Sequence, residues 1–325
     1  MSKQIFLKIL AYVLITFFIF YLGLYAGNHF TTKYYDKRPD KSPTFYESIT
    51  RIKSAWPGHV YKNEKLCDKE NSYSFIVAGH TYGFPGGGAF NGLYDGFIDE
   101  IETINECKAI KFGFFLGDVV AQASNKNFKL FKDDLLLFRD DIDKYVIPGN
   151  HDVGIGHDNS KRDIFIQNFG KTYQSFEYKK DLFILLDANY DSWNIEGKQL
   201  EWLKKIHKNG NKYRNIFVFT HQVIWLDNNS NRGRLARVKT NSLEGYPKHG
   251  TTNFWPEIFP LISSLGSNSY FFSGDVGAFD NNSELFYDKH QGSHFFATGM
   301  GGGKRDNYLA VLVVNGDVKI IPKVF

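Results

Sequence analysis

Short unbroken apolar runs, spaced along the chain and separated by stretches of helical periodicity, restrict this sequence to a narrow set of folds. Tyr73 to Ala78, Ile110 to Leu116, Tyr145 to Ile147, Leu182 to Leu186, Asn215 to Thr220 and Ser269 to Phe272 each read as a strand. Between them, Phe97 to Cys107, Phe128 to Phe138, Gly197 to Lys208 and Phe254 to Leu265 read as helices, the last carrying internal prolines. A strand that is apolar on both faces must be covered on both faces. Alternation of such strands with helices predicts a layered α/β (α+β) domain. The last third turns strand-rich: Leu285 to Asp288, His294 to Thr298 and Tyr308 to Val314. Lys319 to Ile321 folds back on the last of these across Asn315-Gly316-Asp317, a hairpin turn. With 31 phenylalanines the chain can fill a large core.

The ends of these strands carry the chemistry. In open α/β folds, ligands gather at the carboxyl ends of strands. Here those ends read Gly79-His80-Thr81-Tyr82, Gly117-Asp118, Gly149-Asn150-His151-Asp152, His221, and Gly274-Asp275-Val276-Gly277. One Gly-Asp after a strand is ordinarily a turn or a cap. Five polar ends at one topological place imply a site. In the Gly149–Asp152 box, the Asn150 amide oxygen suits a divalent metal and the His151 imidazole suits proton transfer.

This pattern resembles the calcineurin-like metallophosphoesterase superfamily over about residues 73 to 301. Its motif order is Asp-x-His, Gly-Asp, Gly-Asn-His-Asp/Glu, His, then Gly-His-x-His. Gly117-Asp118, Gly149 to Asp152 and His221 match the middle three, and Gln199-Leu200-Glu201-Trp202-Leu203 lies upstream of His221 as is common there. The outer two are rewritten: His80 and Tyr82 stand at the first, Asp275 and Gly277 at the last. The resemblance implies a four-layer αββα sandwich, one or two divalent metal ions (Mn, Fe, Zn or Mg), and hydrolysis of phosphate esters. It assigns one metal to Asp118, Asn150, His221 and Asp275, with Asp118 bridging to a second position that keeps His80. His and Asp have in effect exchanged places between the two outer motifs, so two carboxylate ligands are retained. Tyr82 could ligate only as phenolate, which its ordinary pKa near 10 opposes.

Metal-assisted hydrolysis of a phosphate mono- or diester is therefore expected, with a metal-activated hydroxide as nucleophile and His151 as proton donor. Asp152 is expected behind His151, orienting its ring. A catalytically silent ligand-binding or scaffold protein on the same fold is the alternative. Two loops should shape the substrate site. One, Gly83 to Gly96, holds Gly86-Gly87-Gly88. The other, Asp227 to Thr252, carries Arg232, Arg234, Arg237 and Lys239. Arg232 and Arg234, with Tyr82, are the candidate substrate contacts.

The N-terminal region differs in kind. Ile9 to Ala26 is 18 residues without a charge, a helix of about 27 Å, close to a bilayer core. Lys3 and Lys8 before it favour a cytoplasmic N-terminus. The expected organisation is a transmembrane anchor over 1–28, a juxtamembrane linker over 29–72 and a phosphoesterase domain over 73–325, outside the cytoplasm. A cleaved signal peptide is the alternative. Cys67 and Cys107 are the only cysteines, either disulfide-bonded or two buried thiols, and no thiolate zinc site is available. A net charge of +4 and the absence of a basic stripe argue against nucleic acid. The expected partners are the membrane and a small-molecule or lipid-linked phosphate ester.

Overall fold

The strand pattern is realised as two packed sheets. The computed structural model describes residues 72–83, 92–154, 159–209, 212–226, 233, 235–236, 238–242, 252–278, 285–301 and 306–324. The first sheet has the order β11-β10-β1-β2-β3. It comprises β1 (Ser72–Gly79), β2 (Ile110–Leu116), β3 (Asp143–Ile147), β10 (Asn307–Val314) and β11 (Asp317–Val324). The second has the order β4-β5-β6-β7-β9-β8. It comprises β4 (Gln174–Tyr178), β5 (Asp181–Leu185), β6 (Tyr213–Thr220), β7 (Gly266–Ser273), β8 (Leu285–His290) and β9 (Ser293–Thr298). β1, β2 and β3 run parallel, as do β5, β6, β7 and β9. Every strand that ends in a predicted site residue therefore points the same way within its sheet.

The period-2 side-chain alternation explains why these strands are apolar throughout. In β1, Tyr73, Phe75 and Val77 face the second sheet, while Ile76 and Ala78 face outward. In β6, Phe217 and Phe219 face inward, while Ile216 and Val218 face outward. The space between the sheets is filled largely by aromatic rings. Phe114 and Phe219 stack across it with centroids 4.0 Å apart, and Phe75 meets Phe217 edge-on at 5.0 Å.

Helices cover both outer faces. On the first sheet lie α1 (Asp95–Glu106), α2 (Asn125–Leu135) and α4 (Asn159–Phe169), burying Phe97, Ile101, Phe128, Phe131 and Phe165. On the second lie α5 (Gly197–Asn209), a π-turn over Phe254–Ile258 and α6 (Phe259–Ser263), burying Leu203, Phe254, Ile258 and Ile262. The four layers are thus α, β, β, α. The short α3 (Asn150–Val153) is the Gly-Asn-His-Asp box itself, beginning directly after Gly149.

The differences from the sequence reading have physical causes. Phe254 to Leu265 is two helical pieces because Pro256 and Pro260 interrupt it. Pro260 falls in the first turn of α6, where a missing N–H costs nothing. β4 is an edge strand whose Gln174, Ser175 and Glu177 hide its character. α4 has little segregation of apolar from polar residues, which conceals it from periodicity. Cys107 is disulfide-bonded, which decides between the two cysteine readings, and Cys67 lies outside the described residues. The expected membrane span also lies outside them. Among the described residues no helix is long and apolar enough to cross a membrane.

Phe114 is fully buried against Phe219, so Phe114→Ala should destabilise the domain by about 3–5 kcal/mol in urea unfolding. An unchanged midpoint would contradict the inter-sheet packing. His294 in β9 stacks on Tyr270 at 4.9 Å and lies 3.1 Å from the Tyr287 hydroxyl. Burial, helped by Lys289, holds its pKa down at about 4 against an ordinary 6.5. The folded state then binds this proton less readily than the unfolded chain. Its contribution to stability is intact above pH 6.5 and is lost as pH falls towards 4. Stability measured across that window should fall less steeply in His294→Phe than in the wild type.

Candidate metal centre

Each predicted ligand leaves its strand through a tight turn that aims it at one point. His80 and Asp118 follow β1 and β2 with φ of 47° and 50°, a left-handed conformation that Asp and His tolerate better than most residues. Gly149 must be glycine because a Cβ there would strike the Asp118 amide and carboxylate. His221 follows β6 and Asp275 follows β7. Asp118, His221 and Asp275 are all essentially buried.

The donor atoms converge on His221. Its Nε2 lies 3.1 Å from Asn150 Oδ1, 3.3 Å from Asp118 Oδ2 and 3.7 Å from Asp275 Oδ1. Asp118, His221 and Asp275 each present one ligand atom within 4.8 Å of the others. The four residues assigned to one metal are therefore brought together. Asp275 Oδ1 is buried without a hydrogen-bond partner among the described residues, although its Oδ2 accepts from the Thr240 hydroxyl at 2.5 Å. A buried carboxylate oxygen without a donor is costly unless a cation faces it. Carboxylate, amide and imidazole donors without a thiolate suit a hard or borderline divalent ion.

Three histidines are held in one way. His221 Nδ1 donates to the Leu116 carbonyl at 2.7 Å, His80 Nδ1 to Met300 O at 2.9 Å and His151 Nδ1 to Ala121 O at 2.7 Å. A carbonyl can only accept, so each bond places a proton on Nδ1 and leaves Nε2 to face the site. The electrostatics then separate His221 from His80. Burial opposes a charged His221, but Asp118 at hydrogen-bond range and then Asp275 outweigh it and hold its pKa up. Burial likewise opposes the Asp118 carboxylate, and His221 outweighs it and holds the pKa down. His80 lies 3.7 Å from Asp118, its sole carboxylate contact among the described residues. There burial dominates and its pKa is held at about 4. Burial raises Asp275 to about 6. Two buried carboxylates around one imidazole nitrogen favour positive charge between them, which the His221 imidazolium provides and a divalent cation could provide in its place.

The second position that the sequence resemblance implies is less complete. His80 reaches it through Asp118 alone. The Tyr82 ring lies 4.5 Å from His80 and 5.5 Å from His151. Burial, then the charge of Asp118, drives the Tyr82 phenol well above its ordinary pKa. The phenolate is disfavoured, and Tyr82 forms a wall between the two imidazoles. Among the described residues, one donor set is fully built.

The expected place of Asp152 behind His151 is corrected. The Asp152 carboxylate accepts from Gly149 N at 2.8 Å, Val119 N at 3.1 Å and Val120 N at 3.3 Å. Ala121 O orients the His151 ring instead. Asp152 thus ties the turn after β2 to the box after β3. Arg232 and Arg234 lie outside the described residues. The middle of that long loop does reach the site, which the sequence reading missed at residue level. The Ser242 hydroxyl donates to Asn150 Oδ1 at 3.1 Å, and Thr240 holds Asp275. Neither residue carries a sequence signal beyond membership of that loop.

No known family matches the sequence, and no curated protein does. Solved structures offer a weak likeness. A Thermotoga maritima protein, TM1076, is 8% identical, over 78% of this chain and 99% of its own, with a TM-score of 0.29. A single mutant of Vps29 from Entamoeba histolytica is 10% identical over the same shares, with a TM-score of 0.31. A double mutant of that Vps29 is 9% identical over the same shares, at 0.30. The fold stands on its own sheet order and layers, and the site on its own distances.

Replacing Asp152 with alanine would strand three buried amides. Asp152→Ala should cost about 3 kcal/mol or more in chemical denaturation. Wild-type stability in that variant would show that the carboxylate does not hold the two turns.

Proposed function

We propose that the chain is a metal-dependent phosphoric ester hydrolase of the calcineurin-like metallophosphoesterase type. Asp118, Asn150, His221 and Asp275 would hold its cation. The observation that carries this reading is the coupling of His151 to the centre. Its backbone N–H donates to Asp118 Oδ1 at 3.0 Å, while its side chain is exposed with Nδ1 held by Ala121 O. A metal ligand and a proton-carrying imidazole are thus fixed to each other by a single bond.

A divalent cation, when bound, supplies Lewis acidity towards a phosphoryl oxygen and acidifies water at neutral pH. The chain's own residues do the rest. As the imidazolium, with Nδ1–H on Ala121 O, His151 presents its Nε2–H to the departing ester oxygen and delivers that proton, which spares an alkoxide and leaves a neutral imidazole. The Ala121 carbonyl keeps the ring from turning. Tyr82 packs beside His151 and closes the side towards His80. Ser242 and Thr240 fix Asn150 and Asp275 from the long loop, so the substrate loop and the ligands are one unit. The organisation inferred from the sequence belongs to the same proposal: an anchor over 1–28, a linker over 29–72, and a catalytic domain outside the cytoplasm acting on a soluble or lipid-linked phosphate ester. Tyr82 at the second metal position favours one other reading, a silent binding protein on the same fold.

The full chain should be assayed with Mn²⁺ on p-nitrophenyl phosphate and on bis(p-nitrophenyl) phosphate. Turnover should vanish in Asp118→Asn together with bound metal. His151→Gln should keep the metal and lose about 10²–10⁴-fold in rate. Full activity in Asp118→Asn would overturn the hydrolase reading. Bound metal without turnover on a broad ester panel would select the silent one.

A further inference from the structure

A second buried polar cluster lies beside the metal centre and contains none of its ligands. It begins where β5 ends, at Asp187-Ala188-Asn189. Asp187, Asn189, Gln199 and Gln222 are nearly or wholly buried, and Arg162 is 8% exposed. Asn189 is the branch point. Its Nδ2 donates to the Pro148 carbonyl at 2.7 Å and to Asp187 Oδ1 at 2.9 Å. Its Oδ1 accepts from Gln222 Nε2 at 2.5 Å. Every hydrogen-bonding atom that this side chain needs to satisfy is used.

The two outer partners are what give the cluster meaning. Pro148 immediately precedes the Gly149–Asp152 box, and Gln222 immediately follows His221. One side chain therefore grips both loops that deliver Asn150 and His221, whose donor atoms lie 3.1 Å apart. Gln222 is committed to this contact, because its Oε1 finds no partner among the described residues. Behind Asn189, Asp187 is fixed by an ion pair to Arg162 of α4 and by paired amide bonds with Gln199 of α5. The Arg162 guanidinium also packs over the Tyr190 ring at 4.7 Å. The branch point is thus anchored to a helix on each outer face of the sandwich. A buried ion pair adds little net stability, yet it is expensive to half-break, which suits a fixed strut.

We propose that Asn189, held by Asp187 and Arg162, is a positioning residue that sets the spacing of the Asn150 and His221 ligand atoms. This rests on the metal reading of the site. Groups behind metal ligands commonly tune affinity by about 10–100-fold without touching the ion.

The test is Co²⁺ binding to the full chain, followed by its visible ligand-field spectrum. Asn189→Ala should weaken Co²⁺ binding about 10-fold or more and change the band pattern. Gln222→Met removes one arm only and should move both readouts in the same direction by less. Tyr73→Phe is the control: it deletes a buried 2.7 Å bond to Asp181 at the start of β1, away from the ligand turns, and should leave spectrum and affinity unchanged while lowering stability. If Asn189→Ala does not fold, Gln222→Met decides. A wild-type spectrum and affinity in whichever variants fold would overturn the positioning role while leaving the metal site intact. A wild-type chain that takes up no Co²⁺ would remove the metal reading and this inference with it.

Discussion

The Asp118 carboxylate is the constraint on which the site depends. It is buried at the end of a central parallel strand, in a left-handed turn, and both of its oxygens are committed. One accepts the His151 amide, and the other faces the imidazoles of His221 and His80. Those imidazoles come from different strands, one in each sheet. The ends of the two sheets are therefore joined through a single charged group. The glycine at 149 follows from the same constraint, since the box must pass against Asp118 more closely than any side chain allows. The aromatic layer between the sheets supplies the rigidity: stacked rings such as Phe114 and Phe219 fix the distance at which β2 and β6 present their ends.

The uniform anchoring of the histidines has a chemical consequence. Each gives Nδ1–H to a backbone carbonyl, so the tautomer is decided by main chain whose position the sheets already determine. Both His221 and His80 are buried, but His221 has Asp118 at hydrogen-bond range and Asp275 beside it, whereas His80 has the more distant Asp118 and the neighbouring imidazoles, so their proton affinities move in opposite directions. In the same way Tyr82, buried beside Asp118, stays a phenol. The strand ends thus bring one full donor set together, Asp118, Asn150, His221 and Asp275, while Tyr82 packs against His80. Asp275 stands where His221 and Thr240 can receive its carboxylate.

Much of this was legible in the residues. Runs apolar on both faces could only be strands covered on both sides, and β2 has the predicted bounds. The polar residue at each strand end marked the site because parallel strands deliver their ends to one edge. What escaped notice lacked a local signal. β4 is polar because it is an edge. α4 mixes apolar and polar residues around its circumference. Ser242 and Thr240 act through hydroxyls that composition cannot distinguish from any loop serine or threonine. Asp152 was placed behind His151 because it is adjacent in sequence, whereas its carboxylate turns to three amides inside the fold. Asp187 and Asn189 obey the strand-end rule and were overlooked because neither belongs to a metal motif.

Four side chains from the ends of four strands, Asp118, Asn150, His221 and Asp275, are placed to share one ion. Crystals of the full chain grown with Mn²⁺ or Zn²⁺ and measured at the metal's absorption edge test this directly. The expected result is an anomalous peak bounded by Asp118, Asn150, His221 and Asp275, at about 2.0–2.2 Å from their donor atoms. The His221 Nε2 to Asn150 Oδ1 bond would give way to metal coordination. A crystal saturated with metal in which that bond persists and no peak lies among the four residues would contradict the account.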